Sequence, residues 1–262
     1  MRKLLPDGKV KNFLIYLNHK INAKNCKIKY SFKDKAYVAS FFDEVLNGYS
    51  VIFPSISFSA VCGIPRETPL YFSGRFIKEG SVVVDAGSFP GDFAVLAAKI
   101  VGPKGKVIAL EPNPENRKYL EKVLRANGVE NVVELLPHAL AADNSWVTLA
   151  GESIFSHITD GNQKFVAAVK VPTISVDDLL SQRNLLDQSK NIVVKMDIEG
   201  AELSAFDGAG KSLEQGVKFI VAAYHIVNGQ RTAEILEDKF KKTGYSVSLV
   251  NPSHLTLLAR KN

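Results

Sequence analysis

The sequence predicts an α/β fold: a mostly parallel, doubly wound Rossmann-like sheet, closed by a C-terminal antiparallel hairpin and preceded by a small α+β N-terminal region. Three observations predict it. Ser81-Val-Val-Val-Asp-Ala-Gly-Ser-Phe-Pro-Gly-Asp-Phe93 reads as a buried strand, a glycine turn and the start of an apolar helix. Open α/β sheets build their ligand crevice from that unit. From Val82 onward short apolar runs alternate with helical patterns, as parallel strands joined by crossover helices require. At the end, Tyr245 to Val250 and His254 to Ala259 flank Asn251-Pro252-Ser253, a hairpin rather than another crossover.

Residues 1–78 read as a basic accessory region and residues 79–262 as the main domain. Val10, Leu14, Leu17 and Ile21 recur at helical spacing within Asp7 to Ile21. Cys26 to Phe32 alternates as a strand with one wet face, Ala36 to Leu46 reads as a second short helix stopped at Asn47-Gly48, and Tyr49 to Phe53 as a strand. The Pro/Gly/Ser-rich piece up to Gly80 reads as a connection with one short helix over Leu70 to Ile77. In the main domain, Ala94 to Val101 is apolar nearly all round, as a helix packed deep against a sheet must be. Lys106 to Leu110 is the second strand. Pro114 to Asn127 is a helix with proline in its first turn and Gly128 as its stop. Val132 to Leu136 is the third strand, and Trp146 to Ala150 and Phe165 to Val171 form an extended insertion. Ser175-Val-Asp-Asp178 caps the next helix. Ile192 to Met196 and Phe219 to Ala223 are the fourth and fifth strands, and Gln230 to Lys242 is the last helix.

The chain has 262 residues, 46% hydrophobic and 23% charged, enough for a sizeable core. Cys26 and Cys62 lie far apart without Cys-x-x-Cys spacing, which argues against a disulfide framework or a zinc site and fits a reducing, cytoplasmic compartment. Apolar stretches such as Val51 to Val61 are broken by Pro54 and serines, so neither a signal peptide nor a transmembrane segment is expected. Charge is uneven: residues 1–35 carry ten Lys/Arg against Asp7 and Asp34, so +8 of a whole-chain +6, leaving −2 for the rest. Such an arm can meet RNA, an acidic lipid surface or an acidic glycan, with a solvated lysine-rich face as the simpler reading.

The glycine turn carries the first chemical signal. Asp85 ends its strand inside the crevice, where a fixed anion opposes a dinucleotide's pyrophosphate but favours a cationic ligand such as the sulfonium and ammonium of S-adenosylmethionine. Gly87 and Gly91 give Gly-x-x-x-Gly rather than the Gly-x-Gly-x-x-Gly of dinucleotide binders, with Ser88 between them. Glu111, with Pro112 and Asn113 after it, ends the second strand twenty residues beyond Gly91, where an acid accepts from ribose hydroxyls. His138 and Ala139, after the third strand, stand where main-chain groups meet adenine. Asp197 and Glu199 end the fourth strand and share a face with Lys195. They could orient an acceptor, meet the donor's ammonium or bind a metal, but two carboxylates are too few ligands to assign one. Lysine–carboxylate pairing that merely satisfies buried charge remains a further reading. His225, after the fifth strand, is a candidate general base for an alcohol.

At these residues the chain resembles the FkbM family of S-adenosylmethionine-dependent methyltransferases. Lys195-Met-Asp-Ile-Glu-Gly-Ala-Glu202 looks like its most specific signature. Val83 to Gly91 is similar to its cofactor loop, Glu111-Pro-Asn-Pro-Glu115 to its ribose segment, and Val171 to Leu179 to the stretch before its fourth strand. The likeness runs from about Leu70 to about Ile226. Ser88-Phe89 departs from the Ala-Asn common in that loop. The resemblance implies a class I methyltransferase fold, S-adenosylmethionine as cofactor and O-methylation of a hydroxyl on a sugar, glycan or natural-product-like small molecule. An RNA methyltransferase using the basic N-terminal region and a non-catalytic binding module are the alternatives. Against the first, the fourth strand lacks the Asn-Pro-Pro-Tyr type of motif.

Overall fold

A computed structural model of the chain describes residues 25–55, 58–150, 157–159, 168–186, 191–227, 229–251 and 255–262. The helix expected over Asp7 to Ile21 and the basic residues up to Lys24 lie outside them, as do Pro252 and Ser253 of the terminal hairpin. The chain divides into two compact units, Met1–Ser73 and Gly74–Asn262.

The first unit contains a three-stranded antiparallel sheet, β1 (Cys26–Ser31), β2 (Ala36–Phe41) and β3 (Ser50–Phe53), followed by helix α1 (Phe58–Phe72). Two expectations fail here. Ala36 to Phe41 is a strand, not a helix: Lys35 adopts φ +50° in the turn, and β2 pairs back on β1 with Tyr30 opposite Tyr37. Ala39 and Phe41 are thereby buried from one face. The supposed connection before Gly80 is instead a 15-residue helix despite Pro65 and Pro69. Proline inside a helix removes a hydrogen bond and crowds the preceding turn. The buried row Ile64, Thr68, Tyr71 and Phe72 supplies the packing that outweighs this.

The second unit is built on a seven-stranded sheet of β4 (Val82–Ala86), β5 (Lys106–Leu110), β6 (Val133–Leu136), β11 (Ile192–Met196), β12 (Lys218–Ala222), β15 (Tyr245–Val250) and β16 (Thr256–Lys261). Their order is β15-β16-β12-β11-β4-β5-β6. Only the pairings of β16, with β12 and with β15, are antiparallel. This is the doubly wound, mostly parallel sheet with a terminal antiparallel hairpin that the sequence predicts. β4 and β11 are buried along their whole length, as central parallel strands are. The order reverses between them, so the crevice lies above their carboxyl ends.

Helices α2 (Asp92–Val101), α3 (Pro114–Ala126), α4 (Val176–Ser181), α5 (Glu202–Asp207), α6 (Gly210–Glu214) and α7 (Thr232–Lys242) complete the second unit. Its main core joins Val84, Ile108, Leu110 and Val194 to Leu179, Phe206, Phe219 and Phe240. Ser175 caps α4 as expected, accepting from the Asp178 amide at 3.1 Å and donating to its carboxylate at 2.9 Å. The insertion forms a separate four-stranded sheet of β7 (Ala139–Leu140), β8 (Trp146–Ala150), β9 (His157–Thr159) and β10 (Ala168–Ile174). β13 (Ile226–Val227) and β14 (Gln230–Arg231) form a short ribbon before α7. No helix among the described residues is long and apolar enough to cross a membrane.

Candidate functional site

Adjacent strand ends set up the site. β4 and β11 pair in parallel with Asp85 opposite Lys195, so the two side chains leave the sheet on the same face. Oδ1 of Asp85 lies 3.0 Å from Nζ of Lys195, the side chains being 0% and 4% exposed. Nζ also donates to the carbonyls of Gly87 (2.9 Å) and Ala86 (3.3 Å). Burial raises the carboxyl of Asp85, and the lysine opposes that rise. Burial likewise lowers Lys195, but Asp85, Asp197 and Asp92 outweigh it, so the ammonium is held protonated.

The glycine turn is fixed by what crowds it. Gly87 adopts φ +74°, and a Cβ there would sit 1.9 Å from the carbonyl oxygen of Asp197. Only glycine lets the β4 loop approach the β11 loop this closely. Gly91, at φ +102°, precedes α2, and a Cβ there would meet Leu120 at 2.5 Å and Val123 at 3.2 Å on α3. Ser88 is buried, and its hydroxyl donates to the carbonyl of Asp85 at 2.6 Å, stitching the turn to the strand. Phe89 stacks at a tilt on Tyr119, with centroids 5.4 Å apart. Its backbone N–H donates to Glu111.

Glu111 is buried at the end of β5, where its Oε1 accepts from the Asn113 amide (2.9 Å) and the Asn116 side chain (3.3 Å). Burial raises this carboxyl, while those amides lower it. Asn113 caps α3 by accepting from the amides of Glu115 and Asn116, and the carbonyl of Pro112 accepts from Arg117. His138 and Ala139 follow β6, one strand further from β4 than Glu111. Burial, together with the charges of Arg183 and Arg117, lowers His138 and so keeps its ring neutral. Its Nδ1 is buried and has no hydrogen-bond partner among the described residues.

On the other side of β4, Asp197, Glu199 and His225 are drawn together, one atom from each lying within 4.8 Å of the others. Tyr224 donates to Oδ1 of Asp197 at 3.3 Å and stacks on His225. Nε2 of His225 faces Oε2 of Glu199 at 3.5 Å, and Nδ1 faces Oε1 of Glu202 at 3.0 Å. Glu202 is fully buried, with Oε1 also accepting from the amides of Ile198 (3.1 Å) and Gly200 (3.3 Å). Burial works against a charged imidazole here. The carboxylates of Glu199 and Glu202 outweigh it and raise His225 to about 10. Glu199 sits at φ +55°, a conformation that costs a non-glycine residue roughly 1–3 kcal/mol and concentrates at functional sites.

Nothing local in the sequence marks Tyr224, Glu202 or Asp92 as partners of these groups, or pairs Lys195 with Asp85. Aligning the two apolar strands would have revealed that pair, since Lys195 and Asp85 stand at matching places before their strands end.

The sequence model of the methyltransferase FkbM domain matches residues 85–247. The chain is 26% identical over 129 residues to a protein-L-isoaspartate O-methyltransferase of Methanococcus aeolicus, a match covering 47% of this chain and 58% of that protein. It is 51% identical over 37 residues to a ribosomal RNA large subunit methyltransferase E of Chromobacterium violaceum, covering 14% and 18%. The chain thus spans well under two thirds of the length of these curated relatives. Among solved structures it is similar to the O-methyltransferase TomG of Streptomyces achromogenes, involved in tomaymycin synthesis and solved with SAM. That match has a TM-score of 0.47 and 13% identity and covers 79% of this chain and 82% of that one.

Proposed function

Because the chain belongs to the FkbM methyltransferase family, we propose that it methylates a hydroxyl oxygen of a sugar, glycan or natural-product-like small molecule. S-adenosylmethionine is the methyl donor. When bound, it supplies a methyl carbon on an already activated sulfonium, so the protein's task is largely positioning. The residues present fit that donor. Gly87 and Gly91 let the loop above β4 pack tightly against the Asp197 carbonyl and the Leu120 side chain, which fixes the course of the backbone that would meet the donor. Glu111 is the acid at the end of β5 for ribose hydroxyls. The orphaned Nδ1 of neutral His138 is a polar group suited to an adenine edge. Asp85, paired with Lys195, acts through the loop: the lysine ties the carbonyls of Ala86 and Gly87 to the strand and so fixes the floor of the donor site.

The observation that carries the acceptor reading is the half-exposed Asp197–Glu199–His225 group beside that floor. Glu199, 47% exposed, is within reach of a polyhydroxylated acceptor, and carboxylates accept strongly from sugar hydroxyls. His225, with both ring nitrogens facing carboxylates, orients the group, and Asp197 and Glu199 are the oxygens to which the acceptor can pass its proton. Incubation of the protein with isotopically labelled S-adenosylmethionine and a cell extract, read by mass spectrometry, tests this. Label on a hydroxyl oxygen of a small molecule or glycan is the expected result. Label confined to RNA or to protein carboxylates refutes the acceptor class.

A further inference from the structure

We propose that Asp197, Glu199 and His225 form a site for one divalent first-row metal ion, placed to grip the acceptor's oxygens. Two carboxylates alone would be an ordinary acidic pair. What distinguishes this group is a third, nitrogen donor brought from a different strand end and held from behind. Nδ1 of His225 lies at ion-pair distance from Oε1 of Glu202, 3.0 Å, and Glu202 is itself fully buried and tied to the amides of Ile198 and Gly200. A metal-bound histidine characteristically has its other ring nitrogen held by a carboxylate in this way, which fixes its orientation and raises its basicity.

The other ring nitrogen, Nε2, lies on the side occupied by Glu199 and is buried; neither ring nitrogen makes a well-directed hydrogen bond among the described residues. The 3.5 Å to Oε2 of Glu199 is long for a direct hydrogen bond. Atoms sharing one ion at about 2.1 Å lie roughly 3–4.2 Å apart. The cluster, within 4.8 Å, therefore closes on an ion by small side-chain rotations, the ion displacing a proton from the His225 ring to solvent. Its backbone is already committed. The Asp197 amide donates to the carbonyl of Ala86 at 3.1 Å, its own carbonyl lies close against Gly87, and Glu199 adopts a left-handed φ of +55°.

One imidazole and two carboxylates suit manganese or zinc better than magnesium or calcium, which take oxygen alone. Three protein ligands would leave coordination positions open, and an acceptor hydroxyl bound there would give up its proton more readily; with the ion on Asp197 and Glu199, that proton would pass to water rather than to those carboxylates. This role for the ion rests on the O-methylation reading, whereas its binding does not.

The test uses the full chain, stripped with chelator. Titration with Mn²⁺ followed by electron paramagnetic resonance, and with Zn²⁺ against a chromophoric chelator, should each find one bound ion per chain. His225→Gln and Asp197→Asn should each weaken binding at least tenfold. Circular dichroism checks that both variants fold, and if His225→Gln does not, Asp197→Asn decides alone. Failure of both ions to bind stoichiometrically overturns the site, as does unchanged affinity in the variants. Calorimetry with S-adenosylmethionine separates the two readings. Donor binding without ion binding sinks the metal site and leaves the methyltransferase reading standing. Ion binding without donor binding does the reverse.

Discussion

Replacing Lys195 with Met tests what Asp85 is for. The two charges are 3.0 Å apart and almost wholly buried. At an effective dielectric of about 20 they attract by ~5 kcal/mol, much of which offsets the desolvation of both groups. Methionine roughly fills the volume but leaves the Asp85 carboxylate buried without its cation, and the carbonyls of Ala86 and Gly87 lose their donor. Removing one member of such a pair costs about 3–5 kcal/mol. A domain of this size loses roughly 2–4 °C per kcal/mol, so Tm should fall by about 6–20 °C. Asp85→Asn should destabilise similarly by stranding the lysine, whereas the double variant should recover much of the loss because neither charge remains. Differential scanning calorimetry of the four proteins measures the coupling, and titration with S-adenosylmethionine reads the donor site. A Lys195→Met loss below about 1 kcal/mol refutes the argument. So does an Asp85→Asn protein that melts like the parent but no longer binds the donor, for then the carboxylate meets the cofactor directly.

Other substitutions probe the loop and the sheet edge. Gly87→Ala forces a methyl group against the Asp197 carbonyl at 1.9 Å in a left-handed conformation, and neither backbone can rotate away. We expect a loss of ~3 kcal/mol or more in urea unfolding. Gly91→Ala should cost less, because its nearest obstacle, at 2.5 Å, is the end of the Leu120 side chain rather than backbone. Phe89→Ala removes the stacking on Tyr119, a contact worth about 0.5–1.5 kcal/mol. Donor affinity measured by calorimetry should then drop by up to about tenfold, and an unchanged value would show that this stacking does not support the loop. Glu134 is lowered from 4.5 by hydrogen bonds from Arg183, against the opposing effect of burial and with further help from Lys106. A carboxyl lowered on folding contributes stability that is present above its ordinary value and lost as pH falls through and below it. Glu134→Gln should therefore reduce the melting temperature near neutral pH and flatten its decline below about pH 4.5. A parallel decline in both proteins would refute the coupling.

Much of the architecture was legible because each parallel strand is a short, continuous apolar run with a charged or glycine punctuation at its carboxyl end. Val82 to Ala86 and Ile192 to Met196 show this most clearly. The failures share one cause: a local signal overruled by burial. Ala36 to Phe41 carries helix-compatible residues, but it can bury Ala39 and Phe41 together only by folding back on β1. Pro65 and Pro69 speak against a helix, and the buried row Ile64, Thr68, Tyr71 and Phe72 overrides them.

For the candidate site, the limit was of a different kind. Sequence position places a side chain at a strand end, but the partner waiting there depends on register between strands far apart in the chain. Asp85 and Lys195 are 110 residues apart and meet because β4 and β11 pair at matching positions. His225 joins Asp197 and Glu199 because β12 runs parallel to β11. A reading confined to one segment sees an anion seeking a cationic ligand, or two carboxylates short of a metal set. Register supplies the missing lysine in the first case and the missing nitrogen in the second. A chemical role assigned from one strand end therefore changes once the neighbouring strand is known, and the strands flanking the topological reversal are where that matters most, because both carry charge into the same crevice.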